Sequence, residues 1–262
     1  MPELPEVEAY RRLAASEALE RSIVGVLAPD PWFLKRGLTP EAVTVGLLGR
    51  RLTSATRRGK LLLLDSDGDG PVVGVRFGMS GRLVVDGRAG VDRLMYSSDR
   101  DVEAWDRFGL DFVDGGRLRV RDPRRLGGIE LGPDLRRLGP DALGLGPAVL
   151  RDALVGSGAP LKARLLDQSR IAGIGNLIAD EALWRAGLSP VRAAGSLTPA
   201  EVRRLATHLR RTVDALIVRG GSHTGDLAPE RRPGGVCPRD GTPVVRSTVG
   251  GRTTWWCPAH QR

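Results

Sequence analysis

The chain has 262 residues and a mass of 28.1 kDa, enough for one large domain or two ordinary ones. Its formal charge of +9 predicts a polyanionic partner. A membrane span needs about eighteen consecutive apolar residues, and no stretch of the sequence comes near that length. No basic segment precedes an apolar one at the start, which argues against a secretory signal.

The location of the positive charge is more informative than its total. Residues 1–150 contain 23 basic and 22 acidic side chains, whereas residues 151–262 contain 17 and 9, a net charge of +8. Basic surface is therefore predicted mainly in the C-terminal part. The two cysteines are too few for a disulfide-built fold and predict a reducing compartment.

The first eight residues, MPELPEVE, allow two interpretations. Proline near a helix start with acidic residues in the first turn is typical of a well-formed helix terminus, and apolar residues recur at helical spacing from Val7. Alternatively, removal of Met1 would leave Pro2 with a free secondary amine, which condenses with an aldehyde-like sugar carbon. The neighbouring Glu3 carboxyl would then transfer protons.

Short apolar runs separated by turn signals follow the predicted opening helix. Lys60 stands at the head of one run, 61–64, and further runs lie at 72–77, 83–85, 108–113 and 118–120. This pattern predicts an antiparallel β-sandwich or barrel over residues 1–130. Lys60 is either an exposed strand-end lysine or a functional one, since lysine is a compact, titratable charge in a chain that otherwise uses arginine.

The pattern changes near residue 131. Residues 131–149 are rich in Gly, Pro and Leu and are predicted as a linker. Residues 150–221 carry helical signals, including a helix that ends at Gly187 and a capping box, 198–201, that opens a helix reaching about Arg219. The predicted fold class is α+β in two domains, a β-sandwich followed by a helical domain.

Residues 167–176 (DQSRIAGIGN) join two predicted helices through two glycine turns. A helix start with exposed backbone N–H groups, with Asn176 as its cap, is suited to binding an anion. An ordinary helix hairpin is the alternative. With Lys162 and Arg170 nearby, the sequence favours phosphate binding.

The final segment, 222–262, contains both cysteines. Cys237 is closely followed by Asp240, and Cys257 by His260. Two such pairs, separated by a hairpin over 241–256, have the spacing of a structural zinc site. A disulfide between the two cysteines, or two unpaired thiols without metal, are the alternatives.

Together these segments resemble the formamidopyrimidine-DNA glycosylase and endonuclease VIII family of base-excision repair enzymes, nearly from end to end. PELPEVE resembles the family's N-terminal signature, and Lys60 stands where the family has a catalytic lysine. Residues 78–81 (GMSG) and 122–125 (DPRR) resemble the loops that fill the gap left by an everted base. Residues 167–176 resemble the helix-two-turn-helix, and 252–257 (RTTWWC) resemble part of the zinc finger.

The resemblance implies a DNA glycosylase with AP lyase activity on duplex DNA that contains a damaged base or an abasic site. Pro2 would form a Schiff base with the sugar, Glu3 would donate protons, and Lys60 would hold a phosphate or assist near the sugar. The family's DNA contacts correspond here to Met79, Arg125, Leu126, Lys162, Asn176 and Arg252, and its structural zinc ligands to Cys237, Asp240, Cys257 and His260. We therefore expect a cytoplasmic, nucleoid-associated monomer, with a non-catalytic binder of damaged or distorted DNA as the alternative.

Four features depart from the formamidopyrimidine branch of that family. Leu126 stands where phenylalanine is typical, and it can insert between bases but cannot stack as a ring. Residues 222–236 form a much shorter segment than the loop that this branch places over an everted purine. The sequence is therefore also compatible with an endonuclease VIII-like or unusual range of excised lesions. Asp240 and His260 stand where cysteines are usual, and Met1 would block Pro2 if it were retained.

Overall fold

The computed structural model describes residues 2–92, 94, 95, 98, 100 and 102–262. The chain divides into two compact units, Met1–Leu135 and Arg136–Arg262. The boundary between the units lies inside the predicted linker. Residues 222–262 belong to the same unit as the predicted helical segment, residues 150–221.

The described residues of the first unit combine two antiparallel sheets with two α-helices, which confirms the predicted α+β class. One sheet has the strand order β1-β7-β8-β5-β6 and the other β2-β3-β4-β9. The helices are α1 (Leu4–Glu17) and α2 (Pro40–Leu47), and the strands are β1 (Ile23–Leu27), β2 (Leu52–Arg58), β3 (Leu61–Ser66), β4 (Val73–Arg76), β5 (Arg82–Val85), β6 (Arg88–Ala89), β7 (Asp106–Phe112), β8 (Arg117–Arg121) and β9 (Gly128–Leu131).

One apolar core joins α1 to both sheets. Val7 and Tyr10 of α1 are completely buried in the same cluster as Leu62 of β3 and Phe108 of β7. The apolar residues that recur at helical spacing from Val7 onward therefore form one buried face of α1, as predicted. The start of α1 is held in place relative to both sheets.

The second unit contains four helices and a hairpin: α3 (Pro147–Leu154), α4 (Leu161–Leu166), α5 (Asn176–Ala186), α6 (Pro199–Val218), β10 (Val245–Val249) and β11 (Arg252–Trp256). The predicted capping box is present, because Thr198 accepts a hydrogen bond from the Glu201 N–H at 3.3 Å and donates its own N–H to the Glu201 carboxylate at 2.8 Å. Helix α5 ends at Gly187, whose φ of 66° is left-handed. No helix in the described part of the chain has the length and apolarity needed to cross a membrane.

Two sequence predictions are wrong in this unit. Asn176 is the first residue of α5, and Gly175 is its N-cap. Helix α3 begins within the predicted linker, at Pro147. Proline is well suited to a first helical position because its φ is already helical and its missing N–H would have no partner there.

Candidate active site and metal centre

Pro2 and Glu3 lie immediately before α1, and both are buried. The Glu3 backbone N–H donates to the Glu6 carboxylate at 2.8 Å, and the Glu3 carbonyl accepts from the Val7 N–H at 3.1 Å. Glu3 is thus the N-cap of α1 and part of a capping box. The two interpretations of the octapeptide are compatible, because the helix start fixes the Glu3 backbone directly beside Pro2.

Lys60 occupies the two-residue turn between β2 and β3. The preceding Gly59 has a φ of 58°, which favours glycine. The buried Arg57 guanidinium donates to the Gly59 carbonyl at 2.7 Å and to the Glu8 carboxylate of α1 at 3.3 Å. Arg57 therefore connects the turn that carries Lys60 to α1, the helix that follows Pro2 and Glu3.

The loop that carries Met79 is also held by α1. The Tyr10 hydroxyl donates to the Gly81 carbonyl at 3.2 Å. Gly78 has a φ of 56°, and a Cβ atom there would lie 2.4 Å from the carbonyl carbon of Leu126. Glycine thus allows the loop of Met79 to touch the loop of Leu126.

Leu126 and its neighbours differ in exposure and partners. The Leu126 side chain is 51% exposed. Arg125 instead donates two hydrogen bonds, each 2.6 Å, to the carboxylate of Asp30, and this contact holds the pKa of Asp30 below its usual range. Arg124 is exposed and forms no ion pair with any residue that the structure describes. A DNA contact by Arg125 stays a prediction, and Arg124 is a second guanidinium that the sequence analysis did not assign.

The second unit presents Asn176 and Arg252 at the ends of secondary-structure elements. Arg252 is exposed and opens β11 after the turn Gly250-Gly251. The Asn176 Oδ1 atom is buried and has no hydrogen-bond partner among the described residues, and Gly175 has no side chain with which to cap α5. A helix N-terminus attracts anions, which favours a phosphate contact at Asn176, and the exposed guanidinium of Arg252 can also bind a phosphate. Both phosphate contacts stay predictions.

The prediction that Lys162 contacts DNA is wrong for this structure, because its side chain is completely buried. The ammonium lies 2.7 Å from the Asp180 carboxylate and donates to the Thr254 hydroxyl at 2.8 Å and the Thr253 carbonyl at 3.1 Å. The buried ammonium thus has an ion-pair partner and two hydrogen-bond acceptors within its own unit. Lys162 therefore fastens β11, the strand that begins with Arg252, to α4 and α5.

We expect Lys162→Met to destabilise the protein by about 3 kcal/mol, because it leaves the buried Asp180 carboxylate without one of its cationic partners. Arg231 still contacts that carboxylate at 2.9 Å, which limits the loss. Urea unfolding measures the change, with Lys35→Met, at a more exposed lysine, as the matched control. Unchanged stability of Lys162→Met together with weaker DNA binding would instead support a phosphate contact by Lys162.

The short segment after α6 is folded against α5. The Glu181 carboxylate accepts from the backbone N–H groups of Asp226 at 3.0 Å and Leu227 at 2.9 Å. Arg185 pairs with Asp226 at 2.8 Å, and Leu227 is completely buried. Residues 225–227 are thus anchored on their own unit.

Cys237, Asp240, Cys257 and His260 converge, and one potential ligand atom from each lies within 4.8 Å of the others. Both cysteines are free, which contradicts the disulfide alternative. The His260 Nε2 atom lies 3.1 Å from the Trp184 carbonyl, an acceptor to which a protonated Nε2 can donate. The His260 Nδ1 atom faces the cluster, 3.1 Å from Asp240 and 3.6 Å from the Cys237 sulfur, and a proton held on Nε2 would leave Nδ1 available to a metal.

N–H groups surround the first thiol of this cluster. The Trp184 indole N–H donates to the Cys237 sulfur at 3.3 Å and the Arg239 backbone N–H donates at 3.4 Å, and these contacts fix the position of the sulfur. The backbone N–H of Thr242 holds the pKa of Asp240 well below its usual range. Two sulfurs, one imidazole nitrogen and one carboxylate fit a tetrahedral Zn²⁺ site.

Comparison with known proteins agrees with this architecture. Residues 1–129 match the family model of the formamidopyrimidine-DNA glycosylase N-terminal domain, and residues 138–227 match that of its H2TH domain. The chain is 33% identical to the formamidopyrimidine-DNA glycosylase of Geobacillus kaustophilus, with 100% of both chains aligned. It is 36% identical to that of Thermus thermophilus, with 100% of this chain and 98% of the relative aligned.

Solved structures give the same result. Lactococcus lactis Fpg in complex with DNA that contains N7-benzyl-Fapy-dG matches over 100% of both chains, with a TM-score of 0.84 and 26% identity. A complex of the same protein with abasic-site DNA matches equally well. The predicted resemblance is confirmed: the chain belongs to the formamidopyrimidine-DNA glycosylase family.

Proposed function

We propose that this protein is a base-excision repair DNA glycosylase that removes a damaged base from duplex DNA and then cleaves the strand as an AP lyase. The observation that supports this chemistry is the start of α1, where Pro2 adjoins the buried Glu3 and the helix is connected through Arg57 to the turn of Lys60. A nucleophilic amine, a carboxyl and an ammonium group are what the reaction requires. The alternative, a non-catalytic DNA binder, would not require the Pro2 amine, the Glu3 carboxyl and the Lys60 ammonium together.

Access to the damaged base comes first. A stacked base cannot be reached inside a duplex, so it is turned out at a cost of a few kcal/mol, which is lower for a damaged pair. Met79 and the exposed Leu126 lie on two touching loops and would fill the space that the base leaves. Arg124 or Arg125, the two arginines that precede Leu126, would face the base on the opposite strand.

The chemistry follows once Met1 has been removed. The Pro2 nitrogen attacks C1′ of the sugar, the bond from C1′ to the base breaks, and the base leaves with the proton that the nitrogen gives up. The bond from C1′ to the ring oxygen then breaks, which opens the sugar ring. Glu3 supplies the proton to the ring oxygen, and an iminium joins Pro2 to C1′. An α-amino group titrates near pH 8, so a useful neutral fraction exists at physiological pH.

Strand cleavage uses the same iminium. Its positive charge acidifies the C2′ proton, and loss of that proton expels the 3′ phosphate. Water then hydrolyses the iminium and releases Pro2. We assign Lys60 to the phosphate or to proton transfer near the sugar.

The grip on DNA is assigned to Asn176 and Arg252. Both would contact phosphates around the lesion, a salt-dependent interaction that does not read sequence. Such a partner implies a cytoplasmic location at the nucleoid, and a monomer remains our expectation.

We further infer that Cys237, Asp240, Cys257 and His260 hold one structural Zn²⁺, which would fix the ends of the hairpin that carries Arg252. Four protein ligands leave no open position, so the metal would supply folding energy and no catalysis.

Metal analysis is expected to give one zinc per chain in the wild-type protein. Asp240→Ala removes one of the four ligands and should weaken zinc binding by about tenfold or more, measured by competition with a chelator. Asp152→Ala, at an exposed aspartate of the same unit, is the control. Zinc well below one per chain in the wild type would defeat the four-ligand site.

We expect Arg124→Ala to slow excision from duplex DNA by about tenfold, more than Arg125→Ala, because Arg125 already has Asp30 as its partner. Single-turnover base release measures both variants. Asp30→Asn tests the converse, since it weakens the hold on Arg125. A larger loss in Arg125→Ala, with wild-type activity in Asp30→Asn, would assign the DNA contact to Arg125.

The function itself is tested with a panel of duplexes that contain an oxidised purine, an oxidised pyrimidine, or a bulky or alkylated base. Free base and strand cleavage are measured separately, with the N-terminus checked by mass spectrometry. We expect both products from at least one duplex. Tight lesion binding by protein with a free Pro2 terminus, but neither product, would favour the non-catalytic binder.

A further inference from the structure

Asp122 connects the two loops that carry Met79 and Leu126. Its carboxylate is completely buried. One oxygen accepts hydrogen bonds from the Ser80 hydroxyl and from the Arg124 N–H at 3.1 Å, and the other accepts from the Gly127 N–H at 2.8 Å. Ser80 directly follows Met79, and Gly127 directly follows Leu126.

The energetics of this contact depend on both loops. A buried carboxylate is costly unless hydrogen bonds compensate it, and no cationic side chain among the described residues forms an ion pair with Asp122. Its compensation therefore comes from one donor on the first loop and two on the second. Displacement of either loop alone would leave the carboxylate short of a donor.

We propose that Asp122 is a positioning residue that couples the two loops, so that Met79 and Leu126 enter the duplex as one unit when a base is everted. This rests on the proposed function, because it concerns the eversion step of that reaction. A side chain that inserts alone opens only one side of the stack, whereas two coupled side chains fill the space at once.

The test compares Ser80→Ala and Asp122→Asn with the wild type. Ser80→Ala removes only the donor from the first loop, and Asp122→Asn places amide hydrogens where N–H groups require an acceptor. Ser66→Ala is the matched control, because Ser66 is also buried in the first unit and donates to the Pro71 carbonyl at 2.8 Å, away from both loops. Ser80→Ala keeps the test valid if Asp122→Asn fails to fold.

Two measurements separate coupling from general destabilisation. The first is the fluorescence of 2-aminopurine opposite a tetrahydrofuran abasic analogue, which reports unstacking without any chemistry. The second is the rate of cleavage at an abasic site in single-stranded DNA, which needs no eversion, compared with the rate of base excision from duplex.

We expect Ser80→Ala to slow unstacking and duplex excision by about tenfold and Asp122→Asn by more, as for lost hydrogen bonds to a charged group. Single-strand cleavage should change by less than about twofold in Ser80→Ala, and Ser66→Ala should resemble the wild type in both assays. Wild-type unstacking in Ser80→Ala, or equal losses on both substrates, would overturn the coupling. Failure of the wild type to cleave any substrate would instead contradict the proposed function, and the unstacking assay would still decide the coupling.

Discussion

Protein that retains Met1 is expected to form no covalent complex with abasic DNA under borohydride and to lose strand cleavage by roughly three orders of magnitude or more, as for loss of a nucleophile. An amide nitrogen cannot form the iminium on which both base removal and elimination depend. Pro2→Gly with Met1 removed should also lose most activity, because a flexible primary amine replaces a secondary amine of fixed geometry.

The control for this prediction lies in the same turn. Pro5 is buried near the start of α1, so Pro5→Ala perturbs the helix start without touching the nucleophile. It should retain trapping close to the wild-type level. Equal loss in Pro5→Ala and Pro2→Gly would mean that the helix start, and not the amine, is what the reaction needs.

Glu3→Gln is expected to slow base excision by about 10²–10⁴-fold, the usual contribution of a general acid or base. The fold should survive, because the Glu3 N–H and carbonyl keep their contacts with Glu6 and Val7, and the side-chain oxygen of glutamine can still accept from the Glu6 N–H in the capping box. Cleavage of a preformed abasic site should lose less, since no base has to leave. Parallel assays on the two substrates measure the difference.

Glu6→Gln is the matched control for Glu3→Gln, because Glu6 is a second buried carboxyl in the same turn. It makes the same carboxyl-to-amide change at a position to which we assign no proton transfer, and its effect on excision should be much smaller. Equal losses of excision and of abasic-site cleavage in Glu3→Gln would contradict the role given to Glu3.

Local sequence patterns predicted the local structure well. The capping box at Thr198, the end of α5 at Gly187 and the helical face of α1 each depend on residues within a few positions of one another. The convergence of the four potential zinc ligands also followed from their spacing around a hairpin. Short-range geometry is sufficient for such features.

Features that depend on distant partners were not predictable. Arg125 pairs with Asp30, which is 95 positions away, and Lys162 contacts Thr254, which is 92 positions away. The sequence shows a lysine beside a glycine-rich turn, but it does not show that β11 and α5 bury that lysine. The role of Asp122 likewise appears only when two loops 42 positions apart are seen to share one carboxylate.

The central claim is that the amine of Pro2 is the nucleophile, and peptide mapping of a trapped complex tests it most directly. Wild-type protein is incubated with abasic-site duplex and borohydride, digested, and analysed by mass spectrometry. We predict that the sugar adduct lies on the N-terminal nitrogen of the peptide that begins with Pro2. An adduct on Lys60 or another lysine, or no adduct from protein with a verified free Pro2 terminus, would contradict this account.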